Sequence, residues 1–134
     1  MNSAPLESTI QASIGKRLKK MGAWYQKNAP GPWGYTKGRL DFTVIYKGRG
    51  IALEVKRPGP RHFSFVTLVD EYERSFGNRN AASFLNGPDC AHCWKECTLP
   101  QQNQIKAVRS AGGVAQVVTS ADEAQAVLEA TDLR

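Results

Sequence analysis

The sequence predicts an α/β fold with elements in the order α-β-β-β-(insertion)-α-β-α around a mixed sheet. Three observations lead there. Ile10, Ile14, Leu18 and Met21 recur at steps of four, four and three, the apolar stripe of an amphipathic helix. Ile51-Ala52-Leu53-Glu54-Val55-Lys56 alternates as a strand does, with Ile51, Leu53 and Val55 on one face and Ala52, Glu54 and Lys56 on the other. A helical stretch separates that strand from the next, which permits a parallel crossover in an otherwise antiparallel sheet.

Each element follows in turn. The first helix is expected over about 6–21 and is ended by Gly22. Residues 23–27 read as a short strand, and the Pro- and Gly-rich stretch 29–35 as a loop. Strands over about 41–47 and 51–56 form a hairpin, with Gly48-Arg49-Gly50 as the tight return. Pro58-Gly59-Pro60 stops it. Residues 62–97 show weak periodicity, with a short helix around 69–76 and turn signals at 77–80 and 86–88. A stretch this long between a strand and the next helix reads as an insertion. Residues 99–111 form a helix with Pro100 in its first turn and Gly112-Gly113 at its end. A fourth strand covers 114–119. Ser120 with Glu123 makes a capping box for a last helix over 121–130.

A chain of 134 residues is expected to form one domain, residues 1–134, with a core of its own. No apolar run approaches the roughly 20 residues of a membrane span, and the N-terminus lacks the apolar region of a signal peptide. The expectation is a cytoplasmic protein with no membrane partner. The net charge is +6, with basic residues clustered at Lys16, Arg17, Lys19 and Lys20, at Lys37 and Arg39, and at Arg57 and Arg61. Such a surface suits a polyanion, although it also serves solubility alone.

The chemistry concentrates in the hairpin. Antiparallel pairing brings Asp41 close to Glu54, with Lys56 leaving the same face two residues on. Two carboxylates beside a lysine on a rigid sheet form a means of holding Mg²⁺ or Mn²⁺ against a phosphodiester. An acid and a lysine on one strand face are also an ordinary solvated ion pair. Two further residues favour the site. Glu7 falls on the apolar stripe of the first helix, although a Glu in a first turn also serves as a dipole partner. Gln101 shares the face of Ile105 and Val108. Trp33 and Tyr35 are candidates to stack on bases or to fold back as a lid.

The ordered set Glu7-Ser8-x-Ile10-Gln11, Gly38-x-x-Asp41, Glu54-Val55-Lys56-Arg57-Pro58-Gly59, Thr98-x-x-Gln101, Ala111-Gly112-Gly113 and Val117-Val118-x-Ser120-x-Asp122-Glu123 resembles the VRR-NUC group of the PD-(D/E)XK nuclease superfamily, particularly its short stand-alone phage forms. The resemblance spans most of the chain outside about 62–97. It implies a restriction-endonuclease-like core and a metal-dependent DNA endonuclease acting in a bacterial or phage-infected cell. Branched, flap or junction DNA would be its substrate, and a homodimer its working form. Asp41 and Glu54 would be the metal-binding carboxylates, Lys56 the contact to phosphate or attacking water, and Glu7 the helix acid that completes the metal shell. Gln101 would be the glutamine of the helix after the core strands, with Gln102 and Gln104 as alternatives. Lys16, Lys20, Trp33, Tyr35, Lys37, Arg39, Arg57 and Arg61 are the expected nucleic-acid contacts. The competing function is a nucleic-acid-binding module with this fold and no catalysis. The insertion has no counterpart in the family pattern, and Leu40 stands where Pro or a small residue is common.

Cys90-x-x-Cys93 followed by Cys97 can wrap one structural Zn²⁺ and so order the insertion. The fourth ligand would be His92 or His62, with Asp89 a poorer choice. The alternative is three unligated cysteines in a loop.

Overall fold

Residues 6–28, 39–59, 62, 64–77, 81–87 and 89–134 are described by a computed structural model. Four strands make a mixed sheet in the order β1-β2-β3-β4: Trp24–Lys27, Phe42–Tyr46, Arg49–Val55 and Val114–Val118. The first two neighbouring pairs are antiparallel, and β3 and β4 run parallel. The parallel pair needs a long crossover. It is supplied by α2 (Phe65–Phe76), a 3-10 turn (Ala81–Phe84), α3 (Ala91–Glu96) and α4 (Leu99–Ser110). The remaining helices are α1 (Glu7–Lys20) and α5 (Ala121–Asp132). Among the described residues no helix is long and apolar enough to cross a membrane.

The two faces of the sheet are covered unequally. On one, Phe42, Val44, Ile51, Leu53, Val55, Val114 and Val118 pack against Ile10, Ile14 and Leu18 of α1 and Ala124, Val127 and Leu128 of α5. Fully burying a side chain of this kind contributes roughly 1.5–3 kcal/mol, which makes this the principal core. On the other, α4 places Ile105 and Val108 over Ala52, Ala115 and Val117, beside Leu40, Trp94 and Cys97. Trp24 and Ile45, partners across β1 and β2, remain 56% and 47% exposed.

Two details differ from the sequence expectation for physical reasons. The hairpin returns through Lys47-Gly48, one residue earlier than Gly48-Arg49-Gly50. Tyr46 pairs with Arg49, and both loop residues have positive φ (49° and 79°), the geometry that matches the strands' twist. Helix α2 begins at Phe65, ahead of the expected start at 69, because the Ser64 hydroxyl accepts from Val66 N–H and caps it there.

The insertion also closes an open sheet edge. Asn86, at φ 64°, accepts from Ala115 N–H (3.0 Å) and donates to Gly113 O (2.9 Å). Arg109 donates to Ala115 O and holds both oxygens of Asp89 at 2.8 and 2.9 Å. Backbone groups of β4 that would otherwise template another strand are thereby paired.

Candidate active site

Asp41 and Glu54 meet because of the hairpin register. Phe42 pairs with Leu53, so the residues just beyond them stand opposite each other. The backbone ladder ends here and side chains continue it. Asp41 Oδ2 accepts from Val55 N–H at 2.7 Å, and Glu54 Oε1 accepts from Asp41 N–H at 3.3 Å. Asn28 ties down the same corner: its N–H donates to Asp41 O and its amide to Leu40 O and Thr43 Oγ1. Both carboxylates are therefore fixed by backbone.

Two helix starts complete the group. Glu7 lies in the first turn of α1, and its carboxylate has an oxygen within 4.8 Å of oxygens of Asp41 and Glu54. Gln101 lies at the start of α4 within a full capping box. Thr98 Oγ1 accepts from Gln101 N–H, and Gln101 Oε1 accepts from Thr98 N–H. The box spends the amide oxygen and leaves Nε2 to donate to Glu54 Oε2 at 2.9 Å. Of the three glutamines weighed from sequence, Gln101 alone makes this bond among the described residues. Gln102 donates to Trp94 O and Cys97 O instead. Lys56 Nζ lies 3.3 Å from Glu54 Oε2. Gln11, one turn after Glu7, donates to Asp41 Oδ1 at 3.2 Å. That contact escaped the sequence reading, and its i, i+4 spacing from Glu7 is the signal that could have found it.

The electrostatics are unbalanced. Glu54 is 1% exposed. Burial first, and then the charge of Asp41, push its carboxyl up to about 8. Burial also raises Asp41, against the Val55 N–H bond and the hydrogen bond with Glu54. Burial opposes the charge on Lys56, but the surrounding groups, Glu54 foremost, together outweigh it and the ammonium is held more firmly than usual. Burial and the Asp41 charge outweigh the lysine, so Glu54 retains a proton near neutrality. The donor set, hard oxygens with one buried member, fits a hard divalent cation that would displace that proton.

The basic residues are on the surface. Lys16, Lys20, Arg39 and Arg57 are exposed. Lys16, Lys19 and Lys27 line a cleft of about 320 Å³ that begins at Gln11, beside the carboxylates. Arg17 is engaged elsewhere, with Asp122 and Gln125 of α5. Trp33, Tyr35, Lys37 and Arg61 lie outside the described residues.

The cysteines do not gather as their spacing suggested. Cys90 caps α3 and Cys93 lies one turn on, so the two share a side. With His62 they form a group whose ligand atoms all lie within 4.8 Å. Cys97 has left the helix with extended backbone; its thiol donates to Cys93 O, and it packs with Leu40 and Ile105. His92 precedes Cys93 by one residue, which turns it away, and its ring packs against Gly59. Of the expected Cys90, Cys93 and Cys97 with His92 or His62, the group that forms is His62, Cys90 and Cys93. Burial pushes the Cys93 thiol up to about 12, with Cys90 adding to the shift.

No family model, curated protein or solved structure matches this chain.

Proposed function

We propose that the chain is a VRR-NUC-type nuclease: a divalent-cation-dependent endonuclease that hydrolyses phosphodiester bonds in DNA. The observation that carries the reading is the convergence of Glu7, Asp41 and Glu54 within 4.8 Å, with Lys56 Nζ at 3.3 Å from Glu54. The order α1-β1-β2-β3-α4-β4-α5 around a mixed sheet agrees with the core that the sequence resemblance implies, with α2 and α3 as additions to it.

Asp41, Glu54 and Glu7 would hold Mg²⁺ or Mn²⁺. When bound, such an ion relieves charge on the phosphoryl oxygens and lowers the pKa of a water. The remaining work falls to the chain. Lys56 places a compact positive charge where the phosphoryl group gains negative charge. Gln101 and Gln11 hold Glu54 and Asp41 in single orientations, so that the carboxylates need no rearrangement on binding. The Lys16, Lys19 and Lys27 cleft would follow the backbone of a nucleic acid entering beside Gln11. A two-fold dimer would supply the second site that a double-strand cut needs.

The test is nicking of supercoiled plasmid with Mg²⁺ or Mn²⁺. Wild type should nick, and Lys56→Ala should nick about 10²–10³-fold more slowly. Tight, salt-sensitive binding by pure wild type with no nicking would instead favour a binding module that keeps the fold without catalysis.

A further inference from the structure

The His62, Cys90 and Cys93 group is separate from the carboxylate site, and its surroundings orient the His62 ring. Glu123 is 3% exposed and its two oxygens are fully occupied. Oε1 accepts from Thr119 N–H and from the Thr119 hydroxyl; Oε2 accepts from Phe65 N–H. Glu123 was expected to close a capping box with Ser120. Ser120 Oγ does accept from Glu123 N–H, but the Glu123 carboxylate turns inward instead of returning to the cap.

That carboxylate lies 3.1 Å from His62 Nε2. The Thr119 hydroxyl, whose proton goes to Glu123, lies 3.0 Å from the same nitrogen. Two acceptors at Nε2 assign it the proton. In the neutral ring Nδ1 then keeps its lone pair, and it faces Cys93 Sγ at 3.3 Å. An imidazole fixed by a carboxylate on one nitrogen and free to ligate through the other is the arrangement that supports a metal-binding histidine. A cavity of about 20 Å³, lined by His62, Cys90, Cys93 and Asp89, adjoins the three ligand atoms. One water-sized sphere needs roughly 10–15 Å³.

We infer that His62 Nδ1, Cys90 Sγ and Cys93 Sγ bind one zinc ion, with Glu123 as the positioning residue behind His62. Two thiolates and one imidazole select a borderline-soft ion over Mg²⁺ or Mn²⁺. Tetrahedral bonds of about 2.1 Å to nitrogen and 2.3 Å to sulfur put those atoms roughly 3.6 Å apart, close to the observed N···S separation. Uptake displaces the thiol protons of Cys90 and Cys93 to solvent. Asp89 is not available as the fourth ligand, because Arg109 holds both its oxygens. A water takes that position. The ion joins α3 to the segment after β3, and through Glu123 to α5.

The experiment is elemental analysis of the purified full chain, followed by Co²⁺ substitution of chelator-treated protein. One zinc per chain is expected, with a thiolate-to-cobalt charge-transfer band in the near ultraviolet. Cys97→Ser and His92→Ala should retain the zinc, Cys90→Ser and Cys93→Ser should lose it, and Glu123→Gln should weaken it by about 10–100-fold. Should Cys90→Ser or Cys93→Ser fail to fold, the wild-type cobalt spectrum and the two retaining variants still decide. Wild type without zinc and without the band, or loss of zinc in Cys97→Ser or His92→Ala, overturns the assignment. Asp41→Ala should keep its zinc, so the result is independent of the nuclease reading.

Discussion

The two polar clusters of this protein differ in how they handle charge. The carboxylate group brings Glu7, Asp41 and Glu54 together with Lys56 in contact, and burial with the Asp41 charge makes Glu54 hold a proton it would lose in water. The His62 group gathers two thiols and an imidazole beside one buried carboxylate, Glu123, which is satisfied by Thr119, Phe65 and His62. A cation would relieve the first; the second is satisfied without one and would gain cross-linking from it. Hard donors under strain suit a reaction, and soft donors in a satisfied pocket suit architecture.

Variants of the two clusters should separate cleanly. The largest effect is on cleavage. Asp41→Ala and Glu54→Ala should abolish plasmid nicking while leaving the melting temperature equal to or above that of the cation-free wild type. Lys56→Ala should cut nicking by about 10²–10³-fold, the size typical of removing one electrostatic stabiliser. Nicking at the wild-type rate in any of the three would break the comparison at the carboxylate cluster.

Next in size is the response to pH. Glu54 has an ordinary value of 4.5 and a folded value of about 8, so the folded chain binds its proton more tightly. The associated stability is fully present below pH 4.5 and is lost as pH rises through about 8. Thermal melts of cation-free protein should therefore fall across that interval. Glu54→Gln should flatten the profile, and a wild-type melting temperature that rises with pH over the same range would count against the strained pocket.

Smaller still is the cap. Thr98→Ala removes the hydroxyl that accepts from Gln101 N–H and should cost about 1 kcal/mol in chemical denaturation. Because the same box aims Gln101 at Glu54, nicking should fall more than stability alone explains. An unchanged rate would reduce Gln101 to a capping residue.

Local patterns carried much of this into the sequence. The alternation of residues 51–56 placed Glu54 and Lys56 on one face, and hairpin pairing placed Asp41 opposite. The stripe of Ile10, Ile14 and Leu18 put Glu7 on the inward side, and Ile105 did the same for Gln101. All four inferences rest on one period or one register. What stayed hidden depends on contacts distant in sequence. His62 meets Thr119 and Glu123 across 57 and 61 residues, so nothing local distinguishes it from His92. Cys97 has the spacing of a ligand, but the end of α3 turns it toward Leu40 and Ile105. Asn86 pairs the β4 edge from 29 residues away through a side chain, which no strand pattern records.

The most direct test of the central claim is calorimetric titration of Mn²⁺ into wild type and into Asp41→Asn at pH 7. Wild type should bind Mn²⁺ with proton release, as the cation displaces the proton retained on the carboxylates, and Asp41→Asn should show little or no binding. Equal affinity in the two proteins, or no binding to wild type, would contradict the account.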